Sequence, residues 1–157
     1  MEAVINRVRA FLDANQIPYE ALRHEPDFSA QETAAHTHTP GKEFAKTVLL
    51  RKDGQFVLAV LPAHHRIDFE KLVVLLDAKS IMTASETDLR TCFPDCEVGA
   101  EPPMGHLYDL PVYLSWSMAV DRRITFNAGT HEEAIRMSAD DFIRWVKPLL
   151  GDFSYPA

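Results

Sequence analysis

The stretch Phe44-Ala45-Lys46-Thr47-Val48-Leu49-Leu50-Arg51-Lys52-Asp53-Gly54-Gln55-Phe56-Val57-Leu58-Ala59-Val60-Leu61 decides the fold. Two apolar, partly β-branched runs flank an Asp-Gly pair, the dipeptide that tolerates consecutive positive φ angles in a two-residue turn. The stretch therefore predicts a β-hairpin. Near the start of its first strand stands one lysine, Lys46, in a largely apolar neighbourhood. Such a lysine is either solvated strand-edge charge or a cation placed for a ligand. The composition leaves both open.

Outward from the hairpin towards the N-terminus, Thr37-His38-Thr39-Pro40-Gly41 reads as a loop that borders Lys46. Before it, Ser29-Ala30-Gln31-Glu32 fits a capping box and predicts a helix over 30–37. Tyr19 to Arg23 is a short strand candidate. Residues 3–15 place Val4, Ile5, Val8, Phe11 and Leu12 on one helical face, and Ile17-Pro18 ends that helix because the residue before proline disfavours the α region.

Beyond the hairpin, Asp68 is placed to cap a helix, with Ile67 and Leu72 spaced for a hydrophobic staple. Ser80 to Thr83 reads as a short strand, and Ser85-Glu86-Thr87-Asp88 opens a helix that Pro94 terminates. Glu97 to Gly105 is dense in glycine and proline and predicts a rigid loop. Leu110–Trp116, Arg123–Asn127 and Ala134–Met137 are strand candidates, the last two joined by a turn over Ala128–His131. Ser138 caps a final helix whose expected apolar face is Phe142, Ile143, Val146, Leu149 and Leu150. No repeat or linker interrupts the chain. The expectation is a single mixed α/β (α+β) domain over 1–157, with a mixed, partly antiparallel sheet or partial barrel flanked by short helices.

At 157 residues, 46% hydrophobic and 25% charged, the chain can bury a sizeable core. No apolar run approaches the ~20 residues of a membrane span, and the N-terminus lacks a signal-peptide pattern, so no membrane contact and a cytoplasmic location are expected. Cys92 and Cys96, spaced CxxxC, predict reduced structural thiols. The net charge of −7 argues against nucleic-acid binding through bulk charge. It leaves room for a local basic mouth drawn from Arg23, Lys42, Lys46, Arg51, Lys52 and Arg122-Arg123.

Metal chemistry finds little support. His36-x-His38 falls at a predicted helix end, His64 and His65 would point apart in a strand, and neither HExxH nor paired CxxC occurs, so no metal or other cofactor is expected. GxSxG, GxGxxG and P-loop patterns are also missing. Asp140-Asp141 lie in a helix first turn, where the helix dipole accounts for them.

Several segments, in order, resemble the YbaK family, the prolyl-tRNA-synthetase-associated editing domains and their free-standing relatives. They are Ser29-Ala-Gln-Glu-Thr-Ala34, Lys46-Thr-Val-Leu-Leu50, Cys96-Glu-Val-Gly99-Ala-Glu-Pro-Pro103-Met-Gly105, Leu107-Tyr-Asp-Leu-Pro-Val-Tyr113, Phe126-Asn-Ala-Gly129-Thr-His131 and Met137-Ser-Ala-Asp-Asp-Phe142. Each is weak alone; their order and spacing together are specific over about His24 to Pro148. The resemblance implies an aminoacyl-tRNA deacylase acting on the acceptor end of a charged tRNA, with an aminoacyl-tRNA synthetase as a further possible partner. It implies a key lysine at Lys46 and a GxxxP loop at Gly99–Pro103. Lys46 and Gly99 are the implied catalytic positions. Ser29, Thr47, Ala100, Pro102, Pro103, Asn127, Gly129 and His131 are the implied substrate-binding ones. The family's pocket histidine aligns with Asn127, leaving His131 as a polar wall or proton carrier, or a plain surface-turn histidine. Met104 replaces a usual aromatic residue and Ser115-Trp116-Ser117 an acidic pattern, so amino-acid specificity does not carry over. The alternative is a non-catalytic module that binds an aminoacyl or nucleotide-like ligand, or a synthetase, through the same pocket.

Overall fold

A computed structural model describes residues 3–25, 37 and 39–157. The predicted helix over 30–37, its capping box with Ser29, and the His36-x-His38 pair lie outside the described residues, apart from Thr37. The hairpin forms as expected: β2 (Ala45–Lys52) and β3 (Gln55–Pro62) pair antiparallel with Lys46 opposite Leu61. Asp53 and Gly54 both take positive φ, +48° and +83°, the turn whose twist matches the flanking strands. The Asp53 carboxylate accepts from the Lys79 and Ser80 amides at 3.0 and 2.9 Å, tying the turn to β5 (Ile81–Thr83).

The hairpin lies inside a five-stranded mixed sheet of order β5-β2-β3-β6-β9, in which β6 (Val112–Ser115) and β9 (Leu149–Gly151) run parallel to β3. A three-stranded antiparallel sheet joins β1 (Tyr19–Arg23), β8 (Glu133–Ser138) and β7 (Arg123–Asn127). A two-stranded ladder pairs β4 (His65–Ile67) with β10 (Ser154–Pro156). The sheets do not close into a barrel among the described residues. One isolated parallel bridge, Phe44 with Thr125, joins β2's entrance to β7.

Strand alternation sends each face of the hairpin to a different core. Leu49, Leu58 and Val60 meet Ile124, Phe126, Ile135 and Met137 of the smaller sheet, together with Val4, Val8 and Leu12 of helix α1 (Val4–Ala14). Leu50, Val57, Ala59 and Leu61 meet Leu72 of α2 (Phe69–Leu75), Tyr113 and Phe153. Asp68 caps α2 by accepting from the Lys71 amide, and Ile67 packs against the cluster that contains Leu72, as a staple requires. Ser85 and Asp88 form a reciprocal capping box on α3 (Glu86–Cys92). Ser85→Ala should lower stability by about 1 kcal/mol in urea unfolding, because it removes the acceptor for the Asp88 amide.

Three expectations differ from the structure. The final helix, α5 (Ala139–Val146), stops before Leu149 and Leu150, which form β9 instead. Lys147 adopts a left-handed conformation (φ 56°) at its end, and Pro148 has no N–H to continue the helix. The strand expected over Leu110–Trp116 shortens to Val112–Ser115 and runs into a one-turn helix, α4 (Trp116–Ala119). The His64 and His65 rings do not point apart. His64 lies in the turn before β4, so the rings meet edge-on with centroids 4.6 Å apart.

Candidate active site

The Gly99–Pro103 loop and the Asn127–His131 turn form one unit. The Glu97 amide donates to the Gly129 carbonyl and the Gly129 amide to the Ala100 carbonyl, each at 2.8 Å. The His131 amide donates to the Glu97 carboxylate at 2.6 Å, and its ring Nε2 lies 2.8 Å from the Val98 carbonyl. A carbonyl only accepts, so Nε2 carries the hydrogen. His131 thus ties the turn to the loop. Gly99 (φ 91°) and Gly129 (φ 97°) both occupy backbone conformations that favour glycine.

The loop's first two amides are already used. Gly99 N–H donates to Glu101 Oε1 at 2.9 Å, and Ala100 N–H donates to the Glu97 carbonyl at 3.0 Å. Pro102 and Pro103 have none. The loop therefore presents a shaped wall, with Ala100, Pro102 and Pro103 buried, in place of open amide donors. Glu101 is the residue that sequence reasoning passed over. It is buried, and burial raises its carboxyl's pKa against the opposing Gly99 hydrogen bond. Only its position within the GxxxP spacing could have drawn attention to it.

Lys46 enters from the hairpin. Bridged residues point to the same side of their strands, so the Phe44–Thr125 bridge places Lys46 and Asn127, each two residues further along, on one common face. Ala45, Leu49, Ile124 and Phe126 occupy the opposite face, in the main core. Thr47 alternates to that side and does not share the face of Lys46. Asn127 is 7% exposed and its Oδ1 has no hydrogen-bond partner among the described residues. Lys46 is half-buried. No ion pair or hydrogen bond engages its ammonium among the described residues. Its pKa falls below the ordinary lysine value because burial strips water from the cation and Arg66 adds repulsion. The structure thus places Lys46 and Asn127 on one face, and the loop beside the turn that follows Asn127.

Lys46 also lines a groove of about 400 Å³ with Val48, Arg66, Phe69, Thr83 and Tyr155. Three other cations of the expected basic mouth are paired with carboxylates: Arg23 with Glu132, Arg51 with Asp88, and Arg123 with Glu43. His65 is buried and donates to or accepts from Ser154 Oγ at 2.8 Å, but no carboxylate hydrogen-bonds its ring among the described residues. Burial, His64 and Lys46 all depress its pKa. That pair is a satisfied structural contact, which gives no activated serine. Cys92 and Cys96 are free thiols, and burial pushes Cys96 up to about 12, far from a reactive thiolate. Met104 lies in the main core and does not line the groove.

The aminoacyl-tRNA editing domain family matches residues 24–145, and the chain belongs to that family. Among solved structures, a "putative trans-editing enzyme for prolyl tRNA synthetase" shares the fold at a TM-score of 0.83 and 18% identity, covering 99% of both chains. The hypothetical protein APE2540 does so at 0.86 and 16%, covering 95% of this chain and 99% of its own. A search of curated proteins gave no match. No helix among the described residues is long and apolar enough to cross a membrane.

Proposed function

We propose that this protein hydrolyses the ester bond of mischarged aminoacyl-tRNA as a metal-independent trans-editing deacylase. The observation that carries the proposal is that Lys46, which has no carboxylate partner among the described residues, and the buried Oδ1 of Asn127, which has no hydrogen-bond partner among them, share one face. A buried polar atom without a partner costs stability unless a ligand satisfies it. Asn127 Oδ1 can accept from the substrate's ammonium or a ribose hydroxyl. Lys46 can hold the carbonyl oxygen as charge grows on it, and in a partly dehydrated mouth such a contact is worth more than in water. Water adds to the carbonyl carbon and the bond to the ribose oxygen breaks. That oxygen takes up a proton, and the amino acid leaves as its carboxylate.

Family membership supports the reaction class, and the wall formed by Ala100, Pro102 and Pro103 supports selection by size, a sieve that hydrolyses what fits. The test is amino-acid release from a panel of mischarged tRNAs. Metal-independent turnover of at least one member is expected. Saturable binding with no turnover of any member would replace the proposal with a ligand-binding module.

A further inference from the structure

We propose that the protein self-associates through β9, the edge strand of its five-stranded sheet. β9 pairs antiparallel with β9 of a second copy about a twofold axis at Leu150, which joins the two five-stranded sheets into one.

The direction of the β9 backbone groups follows from the neighbouring strands. The Leu58 amide donates to the Pro111 carbonyl at 2.9 Å, so Pro111 and, by alternation, Tyr113 aim their backbone groups at β3. Val112 and Leu114 therefore aim theirs at β9, where the register makes Leu149 and Gly151 their partners. Leu150 is left with its amide and carbonyl pointing out of the sheet. Neither makes a backbone hydrogen bond among the described residues. An antiparallel twofold at Leu150 closes both groups in a reciprocal pair of hydrogen bonds. Pro148 has no N–H to extend the ladder, which leaves Leu150 as its central pair.

The side chains agree with this pairing. Leu149 would stand opposite the second copy's Gly151, on the face where Leu75 lies over that glycine: a Cβ on Gly151 would be 2.1 Å from Leu75 Cδ2. Leu149, Val74 and Leu75 are 64%, 81% and 46% exposed, and Val74 and Leu75 line a groove of about 470 Å³ with Glu70, Lys71 and Asp152. Each copy thus offers a leucine and a place to receive one. Trp116 and Trp145, in the helices α4 and α5 beside the strand, are also exposed. The apolar surface amounts to roughly several hundred Å², the size at which such patches mark interaction sites. A twofold counts it twice towards the ~1,600 Å² of a standard interface. Lys147 precedes the strand and Asp152 follows it. Antiparallel pairing sets each Lys147 near the second copy's Asp152, whereas parallel pairing would set like charges together. Other edges are less suited: β1 exposes Glu20 and Arg23, charges that guard an edge, and β5 exposes one large apolar side chain, Met82. β3 and β6 separate β9 from β2, which carries Lys46, so the pairing does not cover that strand.

The test is sedimentation velocity of the full chain from about 1 μM to about 0.5 mM, which should show a monomer–dimer equilibrium with a micromolar Kd. Leu149→Lys places a charge in the apolar contact and should weaken the dimer at least about tenfold. Because Leu149 is exposed, the urea unfolding midpoint of the monomer should stay in place. Lys147→Asp and Asp152→Lys should each weaken the dimer about tenfold, and the double variant should recover most of the loss. Hydrogen exchange at the Leu150 amide should slow as the concentration rises through Kd. A monomer throughout that range would overturn the proposal. A dimer left intact by Leu149→Lys, or Leu150 exchange independent of concentration, would also overturn it by placing the contact elsewhere. A double variant no tighter than either single one would overturn the antiparallel arrangement.

Discussion

Replacing Lys46 by alanine should lower deacylation about 10²–10³-fold, the loss typical of removing one preorganised group that stabilises developing charge. The unfolding transition should barely move. Lys46 makes no ion pair or hydrogen bond among the described residues, so its removal leaves no buried partner stranded. It should even relieve the repulsion with Arg66. Lys46→Met, which keeps the side chain's apolar length, separates charge from packing: it should be as inactive as alanine. Single-turnover rates on a saturating mischarged RNA read the effect on the chemical step directly. Activity within a few-fold of wild type in both variants would remove Lys46 from the mechanism.

Gly129→Ala should cost roughly 3 kcal/mol of stability. Two costs combine. A Cβ there would stand 2.4 Å from the Val4 Cβ, an overlap that costs typically 1–3 kcal/mol to relax. The positive φ adds about 1–2 kcal/mol for an L side chain. Gly99→Ala provides the contrast, because it has a similar φ but its nearest contact is His131 Cε1 at 3.4 Å. It should lose only the conformational part, about 1–2 kcal/mol. Urea unfolding of the two variants compares them. Equal losses would show that the contact with α1 matters little. Because Gly129 hydrogen-bonds to both Glu97 and Ala100, Gly129→Ala should also depress deacylation through displacement of the loop.

Sequence patterns were most informative where the determinant is local. The Asp53-Gly54 turn, the Asp68 and Ser85 caps and the Ser138 cap each rest on residues within a few positions of one another, and each element formed as expected. Leu149 and Leu150 misled because they continue the helical spacing of Phe142, Ile143 and Val146. The stop signal, Lys147-Pro148, weighs more than that periodicity. The three-residue strands β4 and β10 carry too little pattern to be seen alone and exist only through pairing with each other. The candidate site divides in the same way. Lys46, Asn127 and the GxxxP loop stand at recognisable spacings, whereas Arg66 and Tyr155 become neighbours only once β10 returns to β4. The engagement of the Gly99 and Ala100 amides was invisible for a similar reason: their acceptors are chosen by the loop's folded path.

The single Phe44–Thr125 bridge has a mechanical consequence. The two sheets that carry Lys46 and Asn127 meet there through one isolated ladder rung, so backbone hydrogen bonding does little to fix the gap between them. That gap is set from behind, by the thickness of the layer in which Leu49 and Val60 meet Ile124 and Phe126. Interiors packed to crystal-like density transmit a change of even one methylene. On the proposed deacylase reading, residues that never touch the amino acid therefore tune the aperture offered to it, and a change at Leu49 or Val60 should shift which side chain is hydrolysed.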